Sequence, residues 1–109
     1  MSDHYRFGIV AGEKSGDILG ASLILALRRY VPNAEFIGVG GSEMVALGCE
    51  SLCPIDRLSV MGFVEPLRRL PELLTLKRKL RRRFLAERID AFIGIDSPVF
   101  NLSLAKALK

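Results

Sequence analysis

"YRFGIVAGEKSGDILGASLILALRRYVPNAEFIGVGG", residues 5–41, runs through three patterns in succession. Residues 5–12 are an apolar run that closes in glycine, which reads as a buried strand. Residues 15–30 bring Leu19, Leu23, Ala26 and Leu27 round at helical spacing, and Arg28 and Arg29 occupy the last turn, where cations complement the helix dipole. Pro32 ends that helix. Residues 34–41 are a second strand, again closing in glycines. Strand, helix and strand at these lengths make a crossover unit, and such units pair their strands in parallel.

The remaining chain extends the pattern. Residues 42–48 read as a short helix, with Ser42 as its cap and Gly48 past its end. A weak strand or turn follows over 51–54. Gly62, Pro66 and Pro71 break residues 58–71 into turns and short helical pieces. Residues 72–88 are the longest helix, with Leu73, Leu76, Leu80 and Phe84 on one stripe. Residues 90–96 are another strand, and residues 100–109 open a further helix. The alternation predicts an α/β, Rossmann-like parallel sheet with helices on both faces, and 109 residues make one domain at most. In such sheets ligands bind outside the C-terminal ends of the strands. Three loops leave those ends: "GEKSGD" (12–17), "GVGGSE" (38–43) and "DSPVFN" (96–101).

Half of the residues are hydrophobic and 26% are charged, which is a globular composition. No apolar run approaches the roughly 20 residues that span a bilayer. The first ten residues lack the apolar core and cleavage site of a signal peptide. A cytosolic protein is expected, with Cys49 and Cys53 as reduced thiols. Their spacing, with His4 as the sole histidine, makes a poor metal site. The net charge of +4 divides into −2 over residues 1–54 and +6 over residues 55–109. The second half should attract an anion, a nucleic acid or an acidic membrane surface.

In the first loop, Gly12 and Gly16 let the backbone turn and approach a ligand, and Ser15 can cap the helix that follows. The segment is neither a P-loop nor a dinucleotide fingerprint, because it lacks both glycine spacings. Asp17 reads either as a ligand contact or as a stabiliser of the helix dipole, and Gly16 with Gly20 either serves a ligand or lets helix and sheet pack closely. Asp96, at a strand end, is partly desolvated and so suits a general base; capping the last helix is the alternative. Pro98 holds Ser97 extended, and Asn101 can cap that helix or hold a hydroxyl. Lys77, Arg78, Lys79, Arg81, Arg82 and Arg83 surround the apolar stripe of the long helix. They fit a solvated face or anionic lipid headgroups, and nucleic acid less well, since no aromatic stacking platform accompanies them.

Four blocks in order, "VAGEKSGDILGASLI", "FIGVGGSEM", "LSVMGFVEPLRRLPELL" and "FIGIDSPVFNLSLAKALK", resemble the N-terminal part of the lipid-A-disaccharide synthase family of bacterial glycosyltransferases. The resemblance implies two Rossmann-like domains facing a cleft, a glycosyltransferase B-type fold. Residues 1–109 would be part of the N-terminal, acceptor-side domain, with the UDP-sugar domain absent, so a fragment or truncated gene product is expected. It implies a donor, UDP-diacylglucosamine, and an acceptor, diacylglucosamine 1-phosphate, whose 6-hydroxyl attacks with inversion to give a β-1,6 linkage and UDP. No metal or other cofactor is implied. The setting would be the cytoplasmic face of the inner membrane, peripheral on an anionic surface, with no nucleic acid partner and a homo-oligomer in the full-length protein. Residue by residue, Asp96 would be the base. Glu13, Ser15, Gly16 and Asp17 match the family's Gly-Glu-x-Ser-Gly-Asp segment. With Gly12, Gly40, Gly41 and Asn101 they would line the substrate cleft. Met61, Phe63 and Val64, with Arg78, Arg81 and Arg82, would meet acyl chains or membrane. The family's Asp-Ala-Pro-Asp-Phe-Asn reads Asp-Ser-Pro-Val-Phe-Asn here, so Val99 stands where a second carboxylate is usual. Two other readings stay open: a stand-alone phosphate- or nucleotide-binding module without catalysis, and an interaction protein that docks through its basic helix.

Overall fold

The computed structural model describes residues 5–57, 70–95 and 98–108. The chain order is β1 (Arg6–Ala11), α1 (Lys14–Tyr30), β2 (Glu35–Gly40), α2 (Ser42–Ala46), β3 (Glu50–Pro54), α3 (Leu70–Glu87), β4 (Ala91–Ile95) and α4 (Pro98–Ala107). The four strands form one parallel sheet in the order β3-β2-β1-β4. The expected Rossmann-like α/β architecture is therefore present, and the weak segment at 51–54 is an edge strand.

β1 lies at the centre because both its faces are apolar: Ile9, Val10 and Ala11 are fully buried. It pairs with β2 through Phe7↔Phe36 and Val10↔Val39, and with β4 through Phe7↔Ala91 and Ala11↔Ile95. The chain moves outward from β1 to β3 and then returns to β4 on the other side of β1. The strand order thus reverses between β1 and β4, where such sheets open a crevice.

Helices cover both faces. On one, α1 and α2 enclose Ile9, Ala11, Ile24, Phe36, Met44, Cys49 and Ile95. On the other, Leu76, Leu80 and Phe84 of α3 and Leu104 of α4 pack on Val10, Ile37 and Val39. The expected α3 stripe is present at Leu76, Leu80 and Phe84; the side chain of Leu73 and the turns expected over 58–69 lie outside the described residues.

The α1 stripe differs from expectation. Leu19 is 60% exposed, Ala26 is exposed, and the buried positions are Gly16, Asp17, Gly20 and Ile24. Leu23 and Leu27 pack at the margin. The cause is close approach of helix to helix: a Cβ on Gly20 would lie 2.6 Å from Met44 Sδ. A search for large apolar residues misses a face chosen for its small ones. The expected caps also differ. α1 starts one residue earlier, at Lys14, with Glu13 as N-cap, so Ser15 is inside the helix. α2 has Gly41 as N-cap and Ser42 as its first residue. Gly48 does follow α2 as expected, with φ +96, the left-handed conformation that glycine adopts without a Cβ penalty.

Candidate functional site

The C-terminal rim of the sheet carries the loops after β1 and β2 and the end of β4. β1 ends at Ala11 and leads through Gly12 and Glu13 into α1. Gly12 is buried, Glu13 half-buried, and Ser15 exposed. The first helical hydrogen bond of α1 runs from Asp17 N–H to the Glu13 carbonyl at 3.0 Å, and the Glu13 side chain does not cap the turn. Such a turn presents N–H groups to an anion or hydroxyl at the mouth of the crevice.

Asp17 faces the other way. It is 3% exposed, and its carboxylate points at the start of α2. Oδ1 accepts from Gly41 N–H at 2.9 Å and Met44 N–H at 3.0 Å, and Oδ2 accepts from Glu43 N–H at 3.0 Å. An N-cap side chain normally serves the second and third helical amides, and a capping box adds the amide of the cap itself. Gly41 has no side chain, so one carboxylate from α1 serves all three. The fit explains the glycine: a Cβ on Gly41 would lie 2.6 Å from Asp17 Oδ2. At the far end of α2, the Arg28 guanidinium, also from α1, donates to the Leu47 carbonyl and stacks 5.3 Å above the Phe36 ring. Anion at the N-terminus and cation at the C-terminus both match the dipole of the five-residue helix.

Gly40 N–H donates to the Ser51 hydroxyl at 3.1 Å, and that hydroxyl in turn reaches the Cys53 carbonyl at 2.7 Å. Both amides of the Gly40–Gly41 pair are therefore held internally. Neither Ser51 nor the trans-capping by Asp17 was apparent in the sequence. The only local hint was a glycine pair opening a helix with an acidic residue in the preceding helix. Beside this loop, between α2 and the end of β3, lies an open depression of about 460 Å³ whose walls include Val45, Leu52 and Asp56.

Asn101, 6% exposed, leans back from α4 and donates through Nδ2 to the Ile95 carbonyl at 3.5 Å. It packs against Gly94, where a Cβ would lie 2.9 Å from Asn101 Cβ. Asn101 is thus brought to the end of β4, beside the strand that leads into Gly12. Asp96 and Ser97, the next residues after β4, lie outside the described residues, as do Met61, Phe63 and Val64. Among the described residues no cluster of His, Cys, Asp and Glu could hold a metal ion.

Among the basic residues of α3, apart from Lys77, two groups are distinct. Arg83 pairs with Glu50 at 3.0 Å and Glu87 at 3.7 Å, and Lys79 donates to the Leu52 carbonyl at 3.4 Å. Arg81 donates to the Ala107 carbonyl at 3.0 Å, at the C-terminal end of α4. Arg78 and Arg82 are exposed and have no partner among the described residues. With Leu74 and Leu85, both exposed, they share one outward stripe. No helix among the described residues is long and apolar enough to cross a membrane.

The comparisons with known proteins fit this rim. The family model described as lipid-A-disaccharide synthetase matches residues 7–109, which takes in all three rim loops. The chain is 58% identical over its whole length to the lipid-A-disaccharide synthase of Cellvibrio japonicus and 57% to that of Saccharophagus degradans, covering 28% of each. It is 52% identical to that of Vibrio cholerae, covering 29%. The chain therefore spans somewhat over a quarter of the length of these curated relatives. With a family match over nearly every residue and a sheet whose polar rim is built from the matching segments, this chain belongs to the lipid-A-disaccharide synthetase family.

Proposed function

We propose that these residues form the acceptor-side part of a glycosyltransferase that joins UDP-diacylglucosamine to diacylglucosamine 1-phosphate, releasing UDP and forming a β-1,6 linkage. The carrying observation is the family match across every loop on the C-terminal rim. In this reading the acceptor sits over the β1–β4 crevice. Gly12, Glu13, Ser15 and Gly16 meet it from the first turn of α1, and Asn101 borders it at the end of β4. Asp96 takes the proton from the attacking hydroxyl, because the chain brings it next after Ile95, which pairs with Ala11. The UDP-sugar site belongs to the part of the relatives that lies beyond the matched segment.

Both substrates carry acyl chains, so the enzyme works at an anionic cytoplasmic membrane surface. The outward stripe of Leu74, Arg78, Arg82 and Leu85 supports this: two exposed cations without partners among the described residues, flanked by apolar side chains, suit headgroups and interface together. Each basic residue near such a surface contributes about 1 kcal/mol.

The test is a chimera in which these 109 residues replace the matched segment of the Cellvibrio japonicus relative. Disaccharide synthesis is expected. Asp96→Asn should lower kcat by about 10²–10⁴-fold, the usual contribution of a positioned general base, with the donor KM unchanged. Arg78→Glu with Arg82→Glu should weaken binding to phosphatidylglycerol vesicles. A chimera that makes no disaccharide, or an Asp96→Asn variant with full turnover, overturns the assignment.

A further inference from the structure

We propose that Asp17 is a positioning residue of the acceptor rim: it acts through α2, by capping that helix from α1, and does not touch substrate. The inference rests on the functional reading above and assigns one residue within it. α2 has five residues, too few to hold a geometry by its own hydrogen bonds. Among the described residues, the Asp17 carboxylate accepts from the amides of Gly41, Glu43 and Met44, and both of its oxygens are engaged at 2.9–3.0 Å. Asp17 sits one residue after Gly16 and four after the N-cap Glu13. The same carboxylate therefore ties the loop after β2 to the first turn of α1, and fixes the loop after β1 and the loop after β2 against each other. At the other end Arg28, from the same helix, holds the Leu47 carbonyl. α2 is thus fastened to α1 at both ends, and the rim inherits its shape from that fastening.

The carboxylate is required, not merely a polar group of its size. An amide at position 17 keeps one acceptor oxygen and turns an N–H₂ group towards the Glu43 or Met44 N–H, donor against donor. Asp17→Asn should therefore release α2 while leaving volume almost unchanged. A group that only shapes the rim affects the reaction through misplacement, and about 1 Å of misplacement costs on the order of 10²-fold in rate.

A rescue separates this role from direct contact. Gly41 has φ −95 and ψ −164, an extended conformation that an aspartate N-cap adopts readily. What forbids a side chain there is the Asp17 carboxyl group. With Asp17→Ala, the nearest remaining neighbour of a Cβ at position 41 is Asp17 Cβ at 3.2 Å, a gap that small shifts accommodate. Asp17→Ala with Gly41→Asp moves the capping carboxylate onto α2 itself.

Two measurements decide. In the 109-residue chain, hydrogen exchange at the amides of Gly41, Glu43 and Met44 should speed up at least tenfold in Asp17→Asn, with β1 and β4 unchanged. In the active chimera, Asp17→Asn and Asp17→Ala should each lower kcat about 10–100-fold with the donor KM unchanged. The paired variant should restore both exchange protection and most of kcat. If the pair restores protection but not kcat, Asp17 touches substrate and the inference fails. If exchange does not change in Asp17→Asn, the cap is not what holds α2, and the inference fails. If kcat survives Asp17→Asn in a chimera that is otherwise active, the inference fails alone and the functional reading stands. An inactive parent chimera overturns the functional reading and this inference with it.

Discussion

On the α1–α2 face, helix approaches helix through glycine, and charged side chains fasten the pieces: Gly20 against Met44, buried Asp17 and half-buried Arg28 at the two ends of α2. On the α3–α4 face the fastening is apolar bulk, Leu76, Leu80, Phe84 and Leu104 against Val10, Ile37 and Val39. The lengths of the helices explain the contrast. α3 has 18 residues and presents a stripe long enough to anchor it by burial alone. α2 has five and cannot, so it takes its order from side chains elsewhere. The rim that we assign to the acceptor is shaped by the face built on polar contacts. The cations that we assign to the membrane sit on the outside of the face built on bulk, where surface charge can vary without disturbing the packing.

If the α3–α4 face rests on bulk, removing atoms there should cost most. Phe84 is fully buried, its ring centroid 5.8 Å from that of Phe92. Phe84→Ala should destabilise by about 3–5 kcal/mol in urea unfolding, a large part of the total stability of a small domain. A cost below about 1 kcal/mol would mean that this face collapses around the cavity and is not held by that ring. On the α1–α2 face, adding atoms should be the damaging change. Gly20→Val places carbon 2.6 Å from Met44 Sδ and should cost about 1–3 kcal/mol. Because the obstacle is one flexible side chain, Met44→Ala should absorb part of that cost, and the double variant should fall short of additivity. Simple addition would show that Gly20 matters for a reason other than Met44.

The same contrast decides what could be read from the sequence. The α3 stripe was legible because bulk leaves a periodic trace: Leu76, Leu80 and Phe84 recur at spacings of four. β1, β2 and β4 were legible as apolar runs between glycines and polar loops, and their order gave the parallel sheet. On the α1–α2 face the decisive residues are small or charged, and their partners are distant in sequence. Asp17 reaches Gly41 across 24 residues and Arg28 reaches Leu47 across 19. No local spacing announces such pairings, so the apolar periodicity points Leu19 at the core, and local pattern offers Ser15 and Ser42 as caps. Of the rim, the positions of Gly12, Glu13 and Asn101 followed from strand order alone. Asp17 was picked out as a candidate, but its direction, away from the crevice and into α2, depends on tertiary contacts.

Each face also has a cysteine, and the smallest expected effect distinguishes them. Cys49 is buried in the α1–α2 core, and that burial pushes its thiol up from 9.0 to about 11, with Arg28 opposing and Asp17 and Glu50 adding. Cys53, half-buried beside the other core, is pushed up too, by burial first and then by Glu72. A raised thiol pKa means that the unfolded chain releases its proton at a lower pH than the folded one. The stabilising contribution of Cys49 is therefore fully present below pH 9 and is lost as pH climbs through 9 towards 11. At pH 10 the loss should be about 1 kcal/mol. Urea midpoints at pH 8 and pH 10 measure it, with Cys49→Ala as the control: other groups titrate over this range in both proteins, so only the difference between their slopes belongs to Cys49. The parent should lose more stability than the variant over those two pH units. Equal losses would mean that water or a cation reaches the thiolate in the folded state, and that the core behind α2 is looser than its fastening by Asp17 and Arg28 implies.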